Sequence, residues 1–183
     1  MNVFRVNTLS AFEFIRYFSN KKYFRDGGHI VLISSITSII GRGGVSAYAA
    51  SKGAMVSAVR SMALELAKKN ICINCISPGT ILTPLMQNFL SDLSEEDYQK
   101  RISGFPLGLG EVTDISNACI YLLSDASRWV TGQNLIVDGG YPAGTAVSYR
   151  KNSSEIRSCT IFACICEPVS LERTDETADC ARG

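Results

Sequence analysis

Two short apolar runs, HIVLIS at 29–34 and ICINCI at 71–76, constrain this chain most. Each is continuous rather than alternating, and each is rich in β-branched residues. Such runs suit strands covered on both faces, as in parallel sheets. The stretch between them, Ala47 to Lys69, carries Ala, Gly, Met, Val and Leu on nearly every face and predicts a long buried helix. Strand, helix and strand in that order make a βαβ unit. The pattern continues with a loop and short helix over 80–93 and a helix start at Ser94, where Glu95, Glu96 and Asp97 follow. A helix over 113–124, a strand at 134–137 and an Asp138–Gly139–Gly140 turn complete it. The expected class is α/β, with a doubly wound parallel sheet.

Upstream, residues 3–18 are apolar on most of a helical circumference. That fits a helix buried on two sides, or on one side and in a subunit interface. Gly27 and Gly28 are expected to end this unit. The chain opens inside a helix, so the sheet is expected to lack its first strands and helices. Residues 1–142 read as the C-terminal portion of such a domain, and 143–183 as an unrelated, poorly ordered tail.

The chain of 183 residues is 46% hydrophobic with a net charge of +1, which indicates a globular protein. No basic stripe suggests nucleic acid, and no run is apolar enough to span a bilayer. Arg5, Glu13 and Arg16 break any secretory h-region, so a cytoplasmic location is expected. The seven cysteines are an odd number and do not read as a disulfide framework. Cys72 and Cys75 form C-x-x-C, but three apart on a strand they face opposite sides. Both are expected to be small buried hydrophobes, and no metal site is expected.

Chemistry concentrates between 35 and 52. Tyr48 and Lys52, at i and i+4, share one helical face. An ammonium beside a phenol favours its ionised form, which suits proton exchange. Ser35 sits at the C-terminal end of a predicted parallel strand, where α/β sheets place ligands. Its hydroxyl could orient a carbonyl or alcohol oxygen. Ser35 precedes Tyr48 by thirteen residues across a glycine-rich loop.

With ISS at 33–35, YAASK at 48–52, NCISPGTILT at 74–83, VTGQNLIVDGGY at 130–141 and Asn7 in the first helix, the chain resembles the classical short-chain dehydrogenases/reductases. The nearest broad resemblance is to their 3-oxoacyl-acyl-carrier-protein reductases, and it runs from Val3 to Tyr141. It implies a Rossmann-like fold and reversible hydride transfer between NAD or NADP and a ketone or secondary alcohol. Tyr48 would be the general acid/base. Lys52 would favour its ionised form and hold the nicotinamide ribose, and Ser35 would position the substrate oxygen. Asn7 would help hold a water linking Lys52 to solvent. Pro78, Gly79, Ile81 and Thr83 would line the nicotinamide and phosphate end of the cofactor site. Helices 3–18 and 47–69 would form the contacts of a homo-oligomer. The family's T-G-x-x-x-G-x-G loop is not written in these residues. Gly104, Gly108 and Gly110 match part of it, but they follow a helix, with Pro106 among them, and are rejected as a phosphate loop. An apolar lid is expected over 85–105 from Leu85, Met86, Phe89, Leu90 and Phe105. Without the phosphate loop, the alternative is a catalytically incomplete assembly partner of the same ancestry.

Overall fold

The computed structural model describes residues 2–20 and 27–141. The expected tail at 143–183 lies outside the described residues, which all belong to one unit, Met1–Val147.

The leading helix does not run uniformly. A short helix α1 (Asn2–Phe4) passes through a π-helical turn, Arg5–Leu9, into α2 (Ser10–Phe18). The Ser10 amide closes the turn on the Arg5 carbonyl, five residues back. Strand β1 (Gly28–Ile33) follows. Gly28 therefore opens a strand rather than closing the preceding unit, and its amide bonds the Asn70 carbonyl at 3.1 Å.

Helix α3 spans Ser46–Ala67. The chain leaves it through Asn70, at φ 56°, a left-handed turn that asparagine tolerates better than most residues. Strand β2 (Ile71–Pro78) then lies parallel to β1, with Ile73 opposite Ile30. The strand ends within Ser77-Pro78-Gly79. Pro78 is its last residue, and the next ladder bond comes from the Gly79 amide to Val137, at 2.9 Å. Proline fits there because its missing N–H interrupts nothing further along.

Helices α4 (Pro84–Ser91), α5 (Glu95–Ile102) and α6 (Val112–Leu123) precede β3 (Asn134–Val137), which pairs parallel to β2. The described sheet has the order β1-β2-β3.

The strand period of two sorts β2 between two layers. Ile71, Ile73 and Cys75 face α3, joining Met55, Val59, Ala63 and Leu66, with Leu32 of β1 and Ile15 of α2. Helix α6 packs against all three strands and buries Leu122. The alternate residue Asn74 is fully buried. Its amide donates to the Val130 carbonyl at 2.8 Å and its oxygen accepts from the Gln133 amide at 3.0 Å. Those two bonds tie the β2 centre to the turn before β3.

Cys72 and Cys75 point to opposite faces. Cys75 is fully buried, as expected, whereas Cys72 is only half-buried. Its thiol lies 3.6 Å from the Arg128 carbonyl.

Burial raises the Cys75 thiol to about 12, opposed in part by Lys52. The folded state therefore keeps a proton that the unfolded chain loses above the ordinary thiol pKa. This contribution is complete below pH ~9 and is lost as pH rises towards 12, at about 1.4 kcal/mol per pH unit. Urea titrations at pH 8 and pH 10 should show the stability gap between wild type and Cys75→Ala narrowing by about 1–2 kcal/mol. A gap independent of pH would contradict the assignment.

Candidate active site

The C-terminal ends of β1 and β2 lie side by side, Ile33 in register with Ile76. Ser35 lies two residues past the end of β1 and caps a 3-10 turn, Ile36–Ser38. Its Oγ accepts from the Thr37 amide at 3.2 Å and from the Thr37 hydroxyl at 3.0 Å. With two donors pointing into that oxygen, the Ser35 O–H remains free to donate outward. Thr37 was not among the expected site residues. Its signal in the sequence was only a hydroxyl four positions beyond a strand end.

Tyr48 sits in the first turn of α3, and Lys52 one turn later. The Lys52 ammonium is 5.8 Å from the centre of the Tyr48 ring and donates to the Ile33 carbonyl at 2.8 Å. The Ser34 hydroxyl donates to the Lys52 carbonyl at 3.0 Å, fixing α3 against the strand end. Burial pushes the Lys52 ammonium below the ordinary lysine range, opposed by Cys75. Because the Cys75 thiol is raised to about 12, at neutral pH it carries no charge to offset that burial.

Asn7 lies in the π turn. Its Nδ2 donates to the Ser51 hydroxyl at 3.1 Å, and that hydroxyl donates to the Tyr48 carbonyl at 2.7 Å. Thr8 donates to the Ser51 carbonyl at 2.9 Å. The link from Asn7 to the Tyr48–Lys52 helix thus runs through Ser51, a fully buried residue that sequence reasoning did not single out. The extra residue of the π turn re-aims the side chains around it, and such turns are common at functional sites.

The residues expected to line a cofactor have firm packing roles of their own. A Cβ on Gly79 would stand 2.8 Å from the Asp138 Cα, so only glycine lets β2 and the Asp138 turn approach this closely. Ile81 bridges to Gly110. Thr83 is the N-cap of α4, its Oγ1 accepting from the Met86 amide at 3.3 Å, with Pro84 in the first turn. Pro78 ends β2 beside them. Asp138 is a turn residue, as expected: its Oδ1 accepts from the Gly140 amide at 3.0 Å.

Two of the three decoy glycines face this chain's own side chains. Gly104 abuts the Tyr141 ring, and Gly110 abuts the Ile81 side chain. Of the lid residues, Phe105 and Leu90 are buried, while Leu85 and Phe89 are exposed. Phe89 and Phe105 border a cavity of about 470 Å³ beside Ile36 and Thr37. Among the described residues no cluster of His, Cys, Asp and Glu could hold a metal ion, and no helix is long and apolar enough to cross a membrane.

The family described as enoyl-(acyl carrier protein) reductase matches residues 1–142. The chain is 37% identical over 144 residues to the 3-oxoacyl-[acyl-carrier-protein] reductase FabG of Buchnera aphidicola subsp. Schizaphis graminum, covering 76% of this chain and 56% of that one. It is 41% identical over 121 residues to the 3-oxoacyl-[acyl-carrier-protein] reductase of Mus musculus, covering 66% of this chain and 48% of the relative. Among solved structures, a 7α-hydroxysteroid dehydrogenase complexed with NADH and 7-oxo glycochenodeoxycholic acid superposes with a TM-score of 0.68 at 36% identity, over 75% of this chain and 53% of that one. A 4-hydroxyisoleucine dehydrogenase complexed with NADH gives 0.71 at 34% identity, over 78% and 58%. The chain spans about half the length of these relatives. Over that span its sequence and its fold agree with theirs, and the chain belongs to the short-chain dehydrogenase/reductase family.

Proposed function

We propose that these residues form the acid/base half of an NAD(P)-dependent oxidoreductase interconverting a ketone and a secondary alcohol. The observation that carries this reading is Lys52 beside the Tyr48 ring and bonded to the Ile33 carbonyl at the end of β1, two residues before Ser35. Tyr48 gives its phenolic proton to the substrate oxygen during reduction and takes it back during oxidation. Ser35 donates its free O–H to the same oxygen and fixes its direction. The Lys52 charge stabilises the phenolate that Tyr48 becomes. Asn7 and Ser51 hold the start of α3 in place through the Tyr48 carbonyl.

The donors present fit a nicotinamide ribose. An ammonium offers three N–H donors, and the Ile33 carbonyl takes one of them, leaving two for ribose hydroxyls. Pro78, Gly79, Ile81 and Thr83 border the same end of the sheet and would flank the nicotinamide. The bound cofactor supplies or accepts the hydride at the substrate carbon. Gly104 and Gly110 do not provide for its pyrophosphate, because the Tyr141 and Ile81 side chains fill their surroundings.

The test is NADH and NADPH oxidation by the full chain with a panel of ketones. Turnover of at least one ketone is expected, and no turnover with saturating cofactor would count against the reading.

A second reading is an assembly partner of the same ancestry. It is favoured by the exposed Val6, Leu9 and Phe14 of the leading helical segments and Leu64 of α3, which would pair with a second copy. Calorimetric titration separates the two readings, since saturable binding of NADH or NADPH by this chain rules out the non-binding partner.

A further inference from the structure

The cavity beside Ser35 has an unbalanced charge. Arg42, Lys100 and Arg101 all line it, against a single carboxylate, Asp97. That carboxylate is already engaged, because its Oδ2 accepts from the Ser94 hydroxyl at 2.8 Å at the start of α5. Among the described residues the only ion pair is Glu13–Arg16, far away in α2, so none of the three cations is neutralised. Arg101 is held rather than waving in solvent: its guanidinium stacks 5.1 Å from the Phe89 ring. Its Nε is buried with no hydrogen-bond partner. Leaving a charged donor buried and unpaired is costly, and a folded chain keeps such a group where something else satisfies it. The remaining wall is apolar, from Ile36, Ile40, Leu93 and Phe105. The cavity reaches the catalytic edge through Thr37, which lines it and donates to Ser35.

We propose that this cavity takes the anionic end of an amphipathic substrate, with Arg42 and Arg101 gripping a carboxylate or phosphate and the apolar wall holding the chain or ring that leads to the carbonyl. The proposal rests on the oxidoreductase reading for the identity of the cavity as the substrate side. Planar guanidinium groups suit both anions because they donate two parallel N–H bonds. Burial and the neighbouring Arg42 push the Arg101 guanidinium below its ordinary range, opposed by Tyr141, as expected for a cation awaiting a counter-charge.

The test is direct binding to the full chain by calorimetry, with octanoate, octyl phosphate and methyl octanoate as probes. Charged hydrogen bonds of this type contribute enough for about a tenfold preference for the anions over the ester. Arg42→Gln and Arg101→Gln should each remove most of that preference, while Arg101→Lys retains part of it. Arg42 is exposed, so its replacement leaves folding intact, which an unchanged thermal transition verifies. Whichever anion binds tighter to wild type identifies the group. Equal affinity for ester and acid, or octanoate affinity unchanged in Arg42→Gln, overturns the proposal. Binding needs no hydride transfer, so anion preference without ketone turnover leaves the anion site standing and removes the oxidoreductase reading, with the assignment of the cavity as its substrate side. Turnover of neutral ketones with no anion preference does the reverse.

Discussion

Tyr48→Phe is expected to lower kcat for NAD(P)H-dependent ketone reduction by about 100- to 10,000-fold, the usual contribution of a positioned general acid. The substitution removes one oxygen and leaves the ring. The ring's contact with Lys52, 5.8 Å from ammonium to centroid, is retained. The Ser51 hydroxyl bonds the Tyr48 backbone carbonyl rather than the phenol, so the Asn7–Ser51 link also survives. Because these contacts persist, KM and thermal stability should change little, and the loss should fall on kcat. Steady-state kinetics on both proteins checks this. Activity retained within a few-fold in the phenylalanine variant would remove Tyr48 from the role of acid/base.

Ile73→Ala is expected to destabilise the chain by about 2–5 kcal/mol, the range for truncating a buried isoleucine. Ile73 is fully buried at the middle of β2, facing Met55, Val59 and Ala63 of α3. Its backbone is pinned to the 131–132 segment, since its amide donates to the Thr131 hydroxyl at 3.1 Å and its carbonyl accepts from the Gly132 amide at 2.7 Å. The strand therefore cannot shift to close the void. A domain of this kind has only about 5–15 kcal/mol to lose, so the folded population should fall visibly in urea titration. Leu64→Ala, at 76% exposure on the same helix, is the control, with an expected change within about 0.5 kcal/mol. Comparable losses at the two positions would contradict the assignment of the core.

How much of the site was legible follows from the range of each contact. Tyr48 and Lys52 are one helical turn apart, so periodicity alone brings them to one face. Ser35 was readable as a strand-end residue because the HIVLIS run marks where the strand stops. Ser51 was not readable, although it lies between Tyr48 and Lys52. Its importance comes from Asn7, 44 positions earlier, and nothing local announces that contact. Thr83 illustrates the reverse case. Thr-Pro is a local N-cap signal, and the structure shows the cap, so a packing role stands beside any cofactor role. The leading helix was readable as a helix but not as one with a π turn.

The amino-acid sequence by itself determined the alternation of strands and helices, the parallel class of the sheet and the family. Those rest on local periodicity and on short motifs, and each acts over a few residues. Only the tertiary structure decided that Asn7 works through Ser51, that Gly79 is required by the Asp138 backbone, and that Gly104 and Gly110 are filled by Tyr141 and Ile81. It alone gathered Arg42 and Arg101 on one cavity with a single engaged carboxylate. The physical reason is the same in each case: these are close contacts or charge pairings between residues distant in the chain, whose energies depend on distance and burial, which no local pattern encodes.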